Sequence, residues 1–358
     1  MKKANWLWGA VIFLCMACSS SDDGYVPVTV TPAPLQIPEI FQMYLAEPVI
    51  PADNPQTVEG ISLGRKLFFD PILSLDQTQS CASCHQPQKA FTDGLPLSIG
   101  IAGQEGTRNS MPLHNLAWNY SQKLNWDGSA ISLEQQLSGP ITNPFELNNT
   151  WSQVISSLQN HDQYPELFEQ AFGTPAIDSV LVSRAIAQFL RTLISADSPF
   201  DRYLLGDENA ISAEAKEGFQ VFMAEDRGDC FHCHGNSFNP LWTDNTFHNN
   251  GLDEFFTDLG LGGVSGDPFD NGKFRAPSLR NLAYTGPYMH DGRFETLDEV
   301  INHYSEGLVY SETIDPLMKY IAQGGVQLSE EDKMYLKAFL LSLSDPNFIN
   351  NPDFQNPF

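Results

Sequence analysis

The sequence predicts an all-α protein that contains two copies of one helical unit, and three observations support this. The motif Cys-x-x-Cys-His occurs twice, at Cys81–His85 and at Cys230–His234. Matched segments surround both motifs in the same order, as expected of an internal duplication. Apolar residues recur at helical spacing, whereas periodic strand signals are weak throughout the 358 residues.

The net charge and the hydrophobic content of the chain limit the classes of function it can have. The chain carries 44 acidic and 19 basic side chains, which gives a formal net charge of −25. This balance argues against a nucleic-acid-binding protein, because phosphate contacts need a surplus of Lys and Arg. A hydrophobic content of 42% is enough for real cores. The acidic surface instead suits the attraction of a basic partner.

The first predicted element is an export signal over residues 1–18, in which two lysines precede an apolar run that ends at Cys18. The run is too short for a membrane span. Its end resembles a bacterial lipoprotein cleavage site, so the only membrane attachment expected is a lipid on Cys18. The alternative is ordinary signal cleavage and release into the periplasm. Residues 19–55 are rich in Pro, Thr and Val and are predicted to form an extended tether.

Cys-x-x-Cys-His is the attachment motif of c-type haem. Two thiols three residues apart on one helical turn can add to both vinyl groups of a porphyrin, and the adjacent histidine then binds the iron. The predicted haem-binding residues are Cys81, Cys84, His85, Cys230, Cys233 and His234. A disulfide pair does not explain the repeated histidine, and a redox Cys-x-x-Cys predicts a βαβ pattern that the sequence lacks. A zinc site is the remaining alternative.

The duplicated segments predict two tandem cytochrome c-like domains, each with one covalently bound c-type haem. Gly64-Arg-Lys-Leu-Phe precedes the first motif and Gly218-Phe-Gln-Val-Phe precedes the second. Downstream, Leu113-His-Asn-Leu-Ala parallels Leu279-Arg-Asn-Leu-Ala.

Helix signals set the limits of these domains. Ser212 and Ser329 are predicted to cap helices, and the boundary is expected in the Gly206–Asn209 turn. The predicted limits are residues 56–208 for the N-terminal domain, 209–345 for the C-terminal domain and 346–358 for a tail.

The region from about Val58 to Ser344 resembles the bacterial di-haem cytochrome c peroxidase family, which includes the MauG-type di-haem enzymes. The motifs that carry the resemblance are Leu63–Asp70, Cys81–His85, Arg108–Asn109, Trp126–Gly128, Gly139–Glu146, Cys230–His234, Pro277–Asn281, Pro287–Gly292 and Thr296–Asp298. The resemblance implies that the N-terminal haem is the peroxide site and that the C-terminal haem receives electrons.

The resemblance also implies roles for single residues. Glu146 falls on the distal acid/base, Gln136 on a glutamine of the peroxide pocket and Trp126 on a tryptophan between the haems. A carboxylate suits this chemistry, because a proton must pass from the inner to the outer peroxide oxygen before O–O cleavage. Asn109 matches a ligand of a Ca²⁺ ion. The alternatives are that Glu146 caps the next helix and that Trp126 only packs.

Two positions depart from the family pattern. Typical members carry a distal histidine where this chain has Ile101, so we expect an open peroxide site. The usual methionine ligand of the C-terminal haem is replaced by a neighbourhood that contains His303 and Tyr304. MauG-type enzymes use tyrosine there, so Tyr304 is the predicted sixth ligand of that haem. Met289 and then His303 are the alternatives.

The resemblance implies a peroxidase that reduces H₂O₂ to water with electrons from a small external cytochrome c or cupredoxin. The first alternative is a MauG-type oxidase that oxidises a protein or other substrate through high-valent haem. The second is an electron-transfer cytochrome without catalysis. Members of this family are often dimers, so a homodimer is also considered.

Overall fold

The computed structural model describes residues 29–358, so the predicted signal and Cys18 lie outside the described residues. Helices and loops make up nearly all of the described chain, which confirms the all-α prediction. One short antiparallel ladder pairs β1 Phe247–His248 with β2 Phe274–Arg275. The α-helices are α1 Glu39–Tyr44, α2 Val58–Phe69, α3 Cys81–Cys84, α4 Leu133–Gln136, α5 Ser138–Thr142, α6 Trp151–Gln159, α7 Tyr164–Phe172, α8 Ser179–Arg191, α9 Pro199–Leu204, α10 Ala213–Met223, α11 Phe231–His234, α12 Leu261–Ser265, α13 Leu297–Glu306, α14 Glu330–Ser342 and α15 Pro346–Ile349.

Both copies of the duplicated segment begin with a helix that crosses a later helix at a glycine. Helix α2 packs on α8, and α10 packs on α14. A Cβ atom on Gly64 would overlap the carbonyl oxygen of Ala185, and one on Gly218 would overlap that of Tyr335. The two glycines therefore allow the backbones to approach closely at matching places in the two helix pairs.

Serine side chains cap two of these helices as the sequence predicts. The Ser212 hydroxyl accepts a 3.2 Å hydrogen bond from the backbone N–H of Ala215 at the start of α10. The Ser329 hydroxyl accepts a 3.1 Å bond from the N–H of Asp332 at the start of α14. Caps of this kind stabilise a helix by about 1 kcal/mol.

Two apolar cores surround the two helix pairs. The first contains the buried faces of α2 and α8, and the second contains those of α10 and α14. Phe200, in the first turn of the short helix α9, is fully buried in the second core although it precedes the expected boundary turn. Within residues 29–358, no helix is long and apolar enough to cross a membrane.

The described part of the predicted tether differs from an extended linker. It contains α1, whose Ile40 and Phe41 are fully buried. The Phe41 ring lies 4.9 Å from the ring of Trp118, in an edge-on contact. The apolar residues among the prolines explain the difference, because they bury enough surface against a distant partner to hold the segment on the protein.

The C-terminal tail also packs rather than trailing away. Phe348 and Phe354 are buried in the first core, at ring distances of 5.7 and 6.5 Å from Phe91. The end of the chain thus returns to the core that contains α2 and α8.

Matching asparagines join the two halves at their ends. Asn115 and Asn281 occupy equivalent positions of the duplicated segment, and both have positive φ angles, of 59° and 65°. The Asn115 Oδ1 atom accepts from the backbone N–H of Ser195 at 2.9 Å, and the Asn281 amide donates to the Ser195 hydroxyl at 3.0 Å. Both asparagines therefore hydrogen-bond to Ser195, which links the two copies of the duplicated segment.

Candidate functional site

Each Cys-x-x-Cys-His motif lines a large cavity. The first cavity, which contains the cysteines and histidine of Cys81–His85, encloses about 2010 Å³ of space, including solvent at its mouth. The second, which contains those of Cys230–His234, encloses about 1620 Å³ on the same measure. All four cysteines carry free thiols, which thioether attachment requires.

Hydrogen bonds orient the first motif so that one ring nitrogen of His85 is free to bind a metal. The His85 Nδ1 atom donates to the carbonyl oxygen of Phe91 at 2.8 Å, which leaves the lone pair on Nε2. Burial lowers the pKa of His85, so the imidazole is neutral. The Ser110 hydroxyl donates to the carbonyl oxygen of Cys84 at 2.8 Å and anchors the end of α3. A neutral, oriented imidazole is the form that binds iron.

The second motif has the same neutral imidazole with fewer contacts. Burial lowers the pKa of His234 to about 4. Its Nδ1 atom is buried and has no hydrogen-bond partner among residues 29–358. The Cys230 thiol donates to the carbonyl oxygen of Gly228 at 3.2 Å, just before α11. Both histidines are therefore suited to bind a metal rather than to carry charge.

Arg275 supplies an uncompensated positive charge between the cavities. It is buried, lines both cavities and forms no ion pair within the described chain. Its Nε atom has no hydrogen-bond partner there, and burial lowers the pKa of Arg275 to about 10. A buried cation needs a counter-charge, which the propionates of a haem would provide. Together with the free thiols and neutral histidines, Arg275 makes this set of residues fit two covalent haems.

Trp126 lies in a wall that the two cavities share, together with Asn109, Pro112 and Arg275. The indole Nε1–H donates to the backbone carbonyl of Asn109 at 2.8 Å. The backbone N–H of Arg275 donates to the carbonyl of Trp126 at 2.9 Å. The position agrees with the expected place between two haems, and the relay role of Trp126 stays a prediction.

Glu146 and Gln136 both line the first cavity. The Asn143 amide donates to Glu146 Oε1 at 2.8 Å, and burial raises the pKa of Glu146. The next helix, α6, is capped by Thr150 and not by Glu146. The Gln136 amide donates to Asn125 Oδ1 at 3.3 Å. The first cavity therefore holds an oriented carboxyl group that gains a proton more easily than an exposed one.

His85 is the only histidine that lines the first cavity within residues 29–358. Ile101 does not line it, and its backbone N–H donates to the carbonyl of Glu146 at 3.1 Å. The cavity thus offers a single imidazole as an iron ligand.

The second cavity brings together two of the three candidate sixth ligands. Tyr304 and Met289 line it, whereas His303 does not. Burial raises the pKa of the Tyr304 phenol to about 12. The Asn250 side chain donates to the Tyr304 oxygen at 3.0 Å.

Asn109, the predicted Ca²⁺ ligand, is buried and hydrogen-bonded within the protein. The Asn109 amide donates to the carbonyl oxygen of Leu95 at 2.9 Å. Within the described residues, no group of three or more His, Cys, Asp or Glu side chains is arranged to hold a metal. A Ca²⁺ ion at Asn109 therefore stays a prediction.

Sequence reasoning missed two residues of the second cavity, Asn250 and His248. The His248 Nδ1 and Nε2 atoms lie 2.6 Å from Asp315 and 2.8 Å from Asp244. Although burial lowers the pKa of His248, these carboxylates raise it well above the ordinary value. Neither residue belongs to a motif, so no spacing pattern could have identified them.

Several known proteins are similar to this chain in sequence or in structure. A family model described as di-haem cytochrome c peroxidase matches residues 58–209. Methylamine utilization protein MauG of Methylorubrum extorquens is 39% identical over 308 residues, covering 84% of this chain and 83% of that protein. Cytochrome c peroxidase Ccp of Escherichia coli is 35% identical over 311 residues, covering 83% and 61%. A solved MauG-like protein associated with microbial copper homeostasis has a TM-score of 0.81 at 33% identity, covering 91% of this chain and 99% of that one.

Proposed function

Because the chain belongs to the di-haem cytochrome c peroxidase family, we propose that its two cavities divide the work of reducing H₂O₂ to water. The protein is an oxidoreductase of the peroxidase type. In this proposal the first cavity binds peroxide and the second accepts electrons from a small external redox protein. The observation that carries it is the partly buried carboxyl of Glu146, hydrogen-bonded by Asn143, in a cavity whose only described histidine is His85.

The proposal includes two tandem cytochrome c-like domains that hold one haem each. The thiols and histidine of Cys81–His85 attach and ligate the first, and those of Cys230–His234 the second. When bound, the first haem would supply an iron centre able to bind peroxide and exchange electrons. Arg275 balances the charge of the propionates from the shared wall.

Glu146 moves the proton. Since Asn143 donates to Oε1, Oε2 is the oxygen left to face the substrate. As a carboxylate it takes the proton from the inner peroxide oxygen, and as a carboxylic acid it returns that proton to the outer oxygen. The raised pKa makes Glu146 a stronger base for the first proton transfer than an exposed glutamate, while it can still release the proton in the second. With two electrons and two protons supplied, one H₂O₂ gives two molecules of water.

Trp126 is the proposed electron route between the cavities, since it is the aromatic residue among the four that line both. Gln136 contributes a second polar side chain to the peroxide cavity. Tyr304 is the proposed sixth ligand of the second haem. An anionic phenolate donates strongly to ferric iron, so this ligand would keep the second haem at a low potential.

A MauG-type oxidation of a protein or other substrate is the second candidate function. It is favoured by Tyr304 in the second cavity and by the 39% identity to MauG of Methylorubrum extorquens. This candidate withdraws electrons from its substrate through the second cavity rather than accepting them from a small carrier.

The remaining predictions complete the proposal. The net charge of −25 favours a basic cytochrome c or cupredoxin as the electron donor. Export with a lipid on Cys18, a Ca²⁺ ion at Asn109 and a homodimer stay predictions.

Mixing the holoprotein with H₂O₂ and reduced cytochrome c tests the proposal. The peroxidase predicts rapid, peroxide-dependent oxidation of the cytochrome, followed by its absorbance. Negligible cytochrome oxidation together with a long-lived oxidised state of the haems would contradict it and would favour the MauG-type oxidase.

A further inference from the structure

One residue of the second cavity contacts all three candidate sixth ligands. Asn250 follows β1 by two residues, and its side-chain amide donates to the Tyr304 oxygen at 3.0 Å. The same amide nitrogen lies 3.6 Å from the sulfur of Met289. The backbone carbonyl of Asn250 accepts from His303 Nε2 at 3.1 Å.

We propose that Asn250 is the positioning residue that presents Tyr304 to the second haem and withholds His303 from it. This inference depends on the proposed haem in the second cavity. Asn250 acts through the three side chains around it and does not itself touch the iron.

The helix geometry explains how one residue separates two neighbours. His303 and Tyr304 are consecutive on α13, so their side chains diverge by about 100° and only one can face the cavity. The His303 ring turns towards Phe294, at a ring distance of 5.6 Å. Because Nε2 donates its proton to the Asn250 carbonyl, Nε2 has no lone pair free for a metal, and Nδ1 belongs to a residue that does not line the cavity.

The contact with Met289 is the weaker one. At 3.6 Å the amide–sulfur distance is long compared with the 3.0 Å bond to the phenol oxygen. The Met289 backbone has a φ angle of 75°, a left-handed conformation that neighbouring contacts must hold in place. The two hydrogens of one amide therefore fix the thioether beside the phenol, with the stronger bond on Tyr304.

An N–H donor on a bound phenolate also changes the reduction potential of the iron. It takes up part of the negative charge on the oxygen and so weakens electron donation to ferric iron. Removing the donor would strengthen this donation and lower the reduction potential of the second haem.

The surroundings of Asn250 decide which variant is informative. Asn250 also lines a polar pocket of about 510 Å³, open to solvent, which Asp253, Asp258 and Arg293 border. A small replacement would let water from this pocket reach Tyr304 and supply another donor. Leucine removes the amide and keeps the space filled, and the backbone carbonyl that binds His303 remains.

The experiment measures the potential of each haem by spectroelectrochemistry in holoprotein carrying Asn250→Leu, Tyr304→Phe or Met289→Leu. Asn250→Leu should shift the ferric–ferrous equilibrium of the second haem roughly tenfold, which is about 59 mV towards lower potential for one electron. The first haem should be unchanged, and Met289→Leu, the matched control, should keep the wild-type potential. Wild-type protein should also show a shift of the iron–phenolate Raman band between H₂O and D₂O, because amide hydrogens exchange.

Each outcome decides the inference. A wild-type potential in Asn250→Leu and no D₂O shift would overturn it, and the D₂O measurement stands even where the variant fails to fold. If Tyr304→Phe keeps the wild-type ferric spectrum, Tyr304 is not the ligand and the inference falls with that assignment. Peroxide turnover tests the proposed function separately.

Discussion

The two cavities share one attachment unit and differ in what surrounds the remaining space. Each has two free thiols, a neutral histidine and a helix pair that crosses at a glycine. The first adds the carboxyl group of Glu146 and contains no second histidine within the described residues. The second adds Tyr304, Met289 and Asn250. In the proposed account, the attachment motif therefore places a haem in each cavity, and the residues added around it determine whether peroxide or an electron carrier reacts there.

The largest expected effect comes from removing the residue that distinguishes the first cavity. Glu146→Gln keeps the shape and the contact to Asn143 but cannot carry the proton. We expect kcat/KM for H₂O₂ to fall by about 10²–10⁴-fold, measured by steady-state oxidation of reduced cytochrome c.

Glu105→Gln is the matched control, because Glu105 is an exposed carboxylate on a nearby loop. It should leave kcat/KM unchanged. Equal losses in the two variants would mean that charge, and not proton transfer at Glu146, accounts for the difference between the cavities.

The next effect tests what the cavities have in common. Gly64→Ala and Gly218→Ala each place a methyl group against the backbone of the facing helix, so each should lower the free energy of unfolding by about 3 kcal/mol or more. Denaturant unfolding of the holoprotein measures both. Gly263→Ala, where the new Cβ meets only an ordinary contact, is the control. Tolerance of one of the first two changes would break the equivalence of the helix pairs.

A smaller effect is expected from the wall between the cavities. Trp126→Phe removes the indole and its bond to the Asn109 carbonyl. Electron transfer between the haems should slow by about fivefold, which is the change expected when the loss of a contact worth about 1 kcal/mol raises the barrier by the same amount. Rapid mixing of the reduced protein with peroxide measures it. Trp151→Phe, which changes a residue that lines neither cavity, should have no effect.

Near neutral pH, the smallest effect is the pH dependence of the first cavity. Burial raises the pKa of Glu146, and the carboxylate must be ionised to accept the peroxide proton. The value of kcat/KM should therefore rise with pH through a midpoint above the usual range of a glutamate. The pH profile of Glu146→Gln should lack this step, and a step that survives the substitution would assign it to another group.

Local patterns in the sequence predicted much of this molecule. The paired motifs, the matching segments around Gly64 and Gly218, and the caps Ser212 and Ser329 all depend on residues close together in the chain. Their geometry is fixed by one helical turn or by one helix end, so spacing alone is informative.

Contacts between distant segments could not be predicted in this way. Phe41 is buried because Trp118 lies against it, and Phe348 is buried against Phe91, from the opposite end of the chain. Asn250 comes from a loop with no motif and meets Tyr304 only after the chain has folded. Such residues become recognisable when distances are known.

The electron paramagnetic resonance spectrum of the all-ferric holoprotein tests the division between the cavities most directly. The first haem has only His85 as a protein ligand in this account, and the second has His234 and Tyr304. We predict one high-spin signal, which responds to added cyanide, and one low-spin signal, which does not. Two low-spin signals in the resting protein would contradict an open peroxide site and with it the proposed division of work.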